Sequence, residues 1–181
     1  IVTGSEMPKF LAKKLGDNGG DPGKSRLVRF GAEASVGGVK ITTVPAAHSN
    51  GLAPNFLSGP MAEYMKQAGV TAYVGPPTGY VLTFTNGLSV YLSGDTGMTA
   101  EQESVVGKYY KPQLAVINIG GTFTTGPTEA AYVISDLVKP NSVIASHANE
   151  QATKEGKLLP GTRSSQFIDQ LDMPVFLPLS G

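Results

Sequence analysis

Three side chains in this sequence have types and placements suited to hydrolytic metal chemistry. His48 stands in Val44-Pro45-Ala46-Ala47-His48-Ser49-Asn50, just past the run Val39–Val44. Asp95 stands in Tyr91-Leu92-Ser93-Gly94-Asp95-Thr96-Gly97, past the second arm of a predicted hairpin. His147 directly follows Ser142–Ser146. Two imidazoles and a carboxylate suit a divalent cation such as Zn²⁺. His48 and His147 are the only histidines, and with no Cys there are neither thiolate ligands nor disulfides. Plainer readings compete. A histidine after a strand is often a hydrogen-bonded rim residue, and Gly-Asp-Thr-Gly is often a turn whose Asp binds its own backbone. The spacings are far too long for a short-range ligand motif.

Other residues would shape binding rather than chemistry. Gly120–Gly126 is a Gly-rich loop before a predicted helix N-terminus. Its backbone N–H groups, at Gly121 and Thr122 in particular, are candidates for holding an anionic substrate group; an ordinary strand-to-helix loop is the alternative. Asn149 and Glu150 beside His147, and Ser49 and Asn50 beside His48, either line the rim or are solvated; Asn149 is the third substrate-binding candidate. A serine hydrolase is disfavoured, because Gly-x-Ser-x-Gly is absent and neither His has an obvious nucleophile partner. The phosphate-binding motifs Gly-x-Gly-x-x-Gly and the P-loop are absent too.

The elements that must position these residues are legible in outline. Glu6–Leu15 has apolar residues at helical spacing, with Gly16 as a stop. Asp17–Lys24 is turn-rich, and Arg26–Phe30 and Val39–Val44 read as strands. Pro60–Gly69 reads as a helix with Pro at its start and Gly at its end. Tyr80–Ser93 reads as a hairpin about Asn86-Gly87, a pair that tolerates a type I′ turn. Thr99 caps a helix running to Tyr109, with Gln102 completing a capping box. Leu114–Ile119 and Ser142–Ser146 are apolar enough to be strands buried on both faces. Between them Pro127–Val138 is a helix, ended by Pro140. Ser165–Leu171 and Pro174–Leu177 read as a last helix and strand. A hairpin followed by strand–helix–strand–helix–strand predicts an α/β layered fold with a mixed sheet, in one domain over 1–181. All three chemical residues fall past strand ends, on the rim where such sheets build sites.

Composition narrows the function classes. The chain has 181 residues, enough for a sizeable core. Lys plus Arg and Asp plus Glu number 14 each, so no net positive charge and no basic run favour nucleic acid. No apolar stretch is long enough for a membrane helix, so no membrane partner is expected. The first residue is Ile1; no signal segment is readable, and cytoplasm and periplasm both remain open.

The motifs Pro45-Ala46-Ala47-His48, Tyr91-Leu92-Ser93-Gly94-Asp95-Thr96-Gly97, the loop from Ile119 to Ala131 and Ser142-Val143-Ile144-Ala145-Ser146-His147 occur in that order. In this the chain resembles the metallo-β-lactamase superfamily, in the branch of metal-dependent hydrolases similar to ascorbate-6-phosphate lactonase. The resemblance implies a four-layer αβ/βα sandwich with one or two metal ions, usually Zn²⁺ or Mn²⁺, on the rim. It implies that His48 binds the first metal, Asp95 bridges both and is the catalytic carboxylate, and His147 binds the second. It implies attack by a metal-bound hydroxide on an ester, lactone, phosphoester or amide of a small-molecule substrate. The family's His-x-His-x-Asp-His element does not occur in this sequence. The expectation is therefore an incomplete fold, its C-terminal two-thirds, with the remaining ligands on a separate chain or its open face covered by a second copy. A non-catalytic remnant or binding module of the same fold is the alternative.

Overall fold

The computed structural model describes residues 1–4 and 7–178. Their contacts gather in two compact units, one of residues 1–29 and 49–76 and one of residues 30–48 and 77–181. The first unit is built of short pieces. Val2–Thr3 pairs in parallel with Arg26–Leu27, and Gly51–Leu52 pairs antiparallel with Ala72–Tyr73. The expected strand Arg26–Phe30 therefore shrinks to two residues. The helix Pro8–Asp17 runs through Gly16 instead of stopping at it, and Glu6 lies outside the described residues. The helix Pro60–Ala68 ends at Gly69, whose φ of 67° is the left-handed C-terminal cap.

The second unit carries the sheet. Its strands are β1 (Glu33–Val36), β2 (Val39–Pro45), β3 (Thr78–Thr83), β4 (Ser89–Leu92), β5 (Leu114–Asn118), β6 (Ser142–Ser146) and β7 (Val175–Phe176). Neighbours in the sheet are neighbours in the chain, in the order β7-β6-β5-β4-β3-β2-β1. From β1 to β4 the pairing is antiparallel; from β4 to β7 it is parallel. The hairpin β3–β4 closes differently from expectation. Gly87 N–H donates to Phe84 C=O at 2.9 Å, and Gly87 alone takes positive φ, 86°, while Asn86 does not. This is a three-residue loop with a glycine bulge rather than a two-residue type I′ turn.

Each parallel step needs a crossover, and each crossover is a helix. These are α1 (Gln102–Tyr110, wound as a π-helix) before β5, α2 (Pro127–Tyr132, continuing as a π-helix through Val133–Val138) before β6, and α3 (Arg163–Ile168) before β7. Successive right-handed crossovers in one direction place their helices on one face. Burial agrees. Tyr91, Ala115, Ile117, Val143 and Ala145 are buried together with Val106, Ala130, Val133, Ile134, Val138 and Phe167. Burial also pushes the Tyr91 hydroxyl above its ordinary value, against the opposing hydrogen bond from Gln102. At α1 the Gln102 half of the expected capping box forms, with Thr99 N–H donating to Oε1 at 2.9 Å. The buried Thr99 hydroxyl finds no partner among the described residues.

The opposite face corrects the expectation of strands buried on both sides. Leu92, Val116 and Ile144 lie in one cross-strand row and are only half-buried, and Phe176 at the end of that row is exposed. Leu137 is half-buried as well. One helix layer covers one face, so the apolar residues of β5 and β6 are fully enclosed only in alternation, Asn118 at the end of β5 being buried as well. Ile117, at 0% exposure, is the test of that core. Ile117→Ala is expected to cost about 2–5 kcal/mol by lost burial and cavity formation. Val116→Ala should cost clearly less. Urea unfolding of both variants checks the order.

Candidate metal centre

β4 ends at Leu92, and the chain turns at Gly94 with φ 62°. A side chain there would bring Cβ to 2.8 Å from the Thr78 carbonyl, so both conformation and space require glycine. The turn carries Asp95 beyond the strand end. At the parallel strand β6, His147 follows Ser146 with φ 49°, and Asn149 takes φ 55°. Left-handed conformations on non-glycine residues are sparsely populated and collect at functional sites. The result is a pair: His147 Nε2 lies 3.2 Å from Asp95 Oδ2.

The α3 end of the fold braces the histidine loop. Arg163 Nη1 donates to the Ala148 carbonyl at 3.2 Å, and Ser164 N–H donates to Glu150 Oε1 at 3.1 Å. Glu150 is therefore engaged at a helix N-terminus, where a carboxylate is favoured. On the other side of the pair, Ala47 N–H donates to Thr96 Oγ1 at 2.9 Å and Gly97 N–H donates to Ala47 C=O at 2.8 Å. These bonds tie the residue before His48 to the two residues after Asp95. They fix the main chain, not the direction of the imidazole. Among the described residues no three His, Asp or Glu side chains gather closely enough to hold a metal ion. His48 thus forms no three-ligand group with the pair among the described residues.

The pair itself fits a cation. Ligand atoms about 2.0–2.2 Å from a tetrahedral Zn²⁺ stand roughly 3.4 Å apart along a tetrahedral edge. The 3.2 Å Nε2–Oδ2 separation is close to that edge, and it is equally a hydrogen-bond distance. Both side chains are partly open to solvent, at 36% and 46% exposure, so exchange with a solvated ion meets no barrier of burial. One imidazole and one carboxylate are hard-to-borderline donors and match a divalent cation in type.

The Gly-rich loop lines a cleft of about 330 Å³ with Gly97, Met98, Gly121, Thr122, Thr125 and Glu129. Its amides are largely engaged. Gly121 N–H donates to Thr125 C=O, Phe123 and Thr124 N–H to Gly121 C=O, and Thr125 N–H to Thr96 C=O. The anion cradle expected at Gly121 thus loses its donor to the loop's own turn. A second cleft of about 260 Å³ is lined by Ser146, His147, Ala148, Glu150, Ser164 and Leu177. Asn149 instead lies against Gly120, where an added Cβ would stand 2.9 Å from Nδ2 and 3.2 Å from His147 Nδ1. Gly120 lets β5 approach the histidine loop this closely, a role that sequence reading missed behind the plainer glycines of the loop.

The mixed sheet with its helices on one face has a metallo-β-lactamase-like fold, as its likeness to solved structures shows. The chain is similar to a UPF0173 metal-dependent hydrolase of Cupriavidus necator, 39% identical over 147 residues, covering 81% of this chain and 45% of the relative. It is also similar to one of Roseiflexus castenholzii, 34% identical over 149 residues, covering 81% of this chain and 52% of the relative. The chain thus spans about half the length of these relatives. Among solved structures it resembles Igni18, a metallo hydrolase of Ignicoccus hospitalis. The TM-score is 0.64 at 22% identity, over 99% of this chain and 65% of that one. It also resembles the metallo-β-lactamase fold protein YhfI of Bacillus subtilis, with TM-score 0.52 at 11% identity, over 87% of this chain and 56% of that one. The chain matches no protein-family model.

Proposed function

We propose that this chain is the part of a metal-dependent hydrolase that presents Asp95 and His147 to a divalent cation. The observation that carries the reading is the 3.2 Å Nε2–Oδ2 pair past the ends of β4 and β6, the two strands that flank β5 in parallel. UPF0173 relatives named metal-dependent hydrolases support it. The ion would lower the pKa of water and polarise the bond to be cleaved. Zn²⁺ is our first choice and Mn²⁺ the second, one or two ions. Asp95 would be the carboxylate ligand, His147 a nitrogen donor, and His48 the next candidate ligand from β2. Gly121 and Thr122 in the Gly-rich loop and Asn149 beside His147 are the candidates to contact a small substrate, Gly121 by a group other than its N–H, which the loop's own turn uses. The bond is an ester, lactone, phosphoester or amide.

The absence of a three-ligand group among the described residues favours a second reading, a fold that binds metal weakly and does no chemistry. The two readings part in one assay. The 181-residue chain is incubated with excess Zn²⁺ or Mn²⁺ and offered lactone, phosphodiester and β-lactam panels beside the intact Cupriavidus necator relative. Metal-dependent turnover lost in Asp95→Asn and abolished by chelator supports the hydrolase. Turnover by the relative with none by this chain supports the non-catalytic reading.

A further inference from the structure

Asn118 is a polar residue closing a strand of apolar ones, and it is 1% exposed. Its side chain is fully used. Oδ1 accepts from Ser93 Oγ at 3.2 Å and from Thr96 N–H at 3.1 Å. Nδ2 donates to Thr96 C=O at 3.0 Å and to Thr125 Oγ1 at 2.6 Å. Thr125 Oγ1 donates in turn to the Asn118 carbonyl at 2.9 Å. Thr96 is gripped at both its N–H and its C=O by one amide, and Thr96 Oγ1 accepts from Ala47 N–H at 2.9 Å.

We propose that Asn118 is a positioning residue that sets the Asp95 carboxylate. It does so through an Asn118–Thr96–Thr125 hub joining the Asp95 loop, the strand end before His48 and the Gly-rich loop. The inference rests on the reading of Asp95 and His147 as metal ligands. The residues on either side of Asp95 leave it little freedom: Gly94 turns at φ 62° so close to the Thr78 carbonyl that a Cβ has no room, and Thr96 is held by the Asn118 amide. The amide supplies an acceptor for Thr96 N–H and a donor for Thr96 C=O from two separate atoms. Aspartate at 118 would set an oxygen against the Thr96 carbonyl. Leucine would leave the Thr96 N–H without its acceptor in a buried place, while the Thr96 carbonyl would keep only the Thr125 N–H and the Thr125 hydroxyl only the backbone carbonyl of residue 118. Supporting residues of this kind typically change metal affinity 10–100-fold when removed.

The test measures Zn²⁺ affinity by competition with a chromophoric chelator, together with amide hydrogen exchange of the metal-free chain. Asn118→Leu and Thr125→Val are compared with Thr125→Ser, which keeps the hydroxyl, and with Val133→Ala, which destabilises the core away from the hub. We expect at least about tenfold weaker binding in Asn118→Leu and Thr125→Val. Thr125→Ser should stay within about threefold of the parent. Val133→Ala should keep its affinity while its Tm falls. Exchange at Thr96 should accelerate about tenfold or more in Thr125→Val and not in Val133→Ala. If Asn118→Leu is too unstable to purify, Thr125→Val and Thr125→Ser decide alone. Parent-like affinity and parent-like Thr96 exchange in folded Thr125→Val would overturn the proposal. If the parent and His147→Ala bind Zn²⁺ equally, the ligand reading fails instead. The Thr96 exchange then still decides whether the hub holds the loop.

Discussion

Replacing His147 by alanine is expected to weaken binding of a divalent cation at least about 100-fold, the largest effect of any single change in this chain. Supporting residues alone are worth 10–100-fold, and His147 is one half of the contacting pair. Its Nε2 faces Asp95 Oδ2 at 3.2 Å. Asp95→Asn should come close to the same loss while preserving shape, because it removes the charge that draws the cation. His48→Ala should cost less, since His48 does not gather with the other two into a ligand group. Isothermal titration of the three variants with Zn²⁺ reads the order. A His48 effect exceeding that of His147 would mean that the ion sits on the β2 side of the rim.

The second large effect is steric. Gly120→Ala places a methyl 3.2 Å from His147 Nδ1 and 2.9 Å from Asn149 Nδ2, with the His147 carbonyl closer still. Ordinary Cβ contacts are longer, so either the histidine loop or the end of β5 must move. Overpacking of this kind costs about 1–3 kcal/mol. The residue that yields is His147, which already holds a left-handed backbone at φ 49°. Gly120→Ala should therefore lower Tm by several degrees and weaken Zn²⁺ binding about tenfold or more, by misplacing a ligand without removing one. Gly87→Ala, in the distant hairpin bulge, should lower Tm with no change in affinity. Equal affinity in Gly120→Ala and the parent would show that the histidine tolerates the displacement.

The parallel half of the sheet was legible because its signals are long. The runs Leu114–Ile119 and Ser142–Ser146 and the Pro-started helix between them fall within a residue of where patterning puts them. The short strand Glu33–Val36 was not legible. Only one of its four residues is even half-buried, so no apolar alternation marks it. The half-buried face of Val116 and Ile144 was misread because an apolar run says that a strand is covered, not by how many layers. For the site, chemistry picked out Asp95 and His147, and position after a strand put them on the rim. Convergence was beyond reach. Whether His48 points at the pair depends on a side-chain direction that no spacing encodes. Asn118 did leave a signal, a lone amide closing an apolar strand, and a buried amide needs partners that only a site-building loop supplies.

The most direct test is where a metal ion sits. Crystals of the chain grown with Zn²⁺ and measured across the zinc absorption edge locate the ion without reference to activity. An anomalous peak is expected within bonding distance, about 2.0–2.2 Å, of both Asp95 Oδ2 and His147 Nε2. A peak on other residues with this pair left hydrogen-bonded to itself, or stoichiometric binding in solution with no peak at the pair, would contradict it.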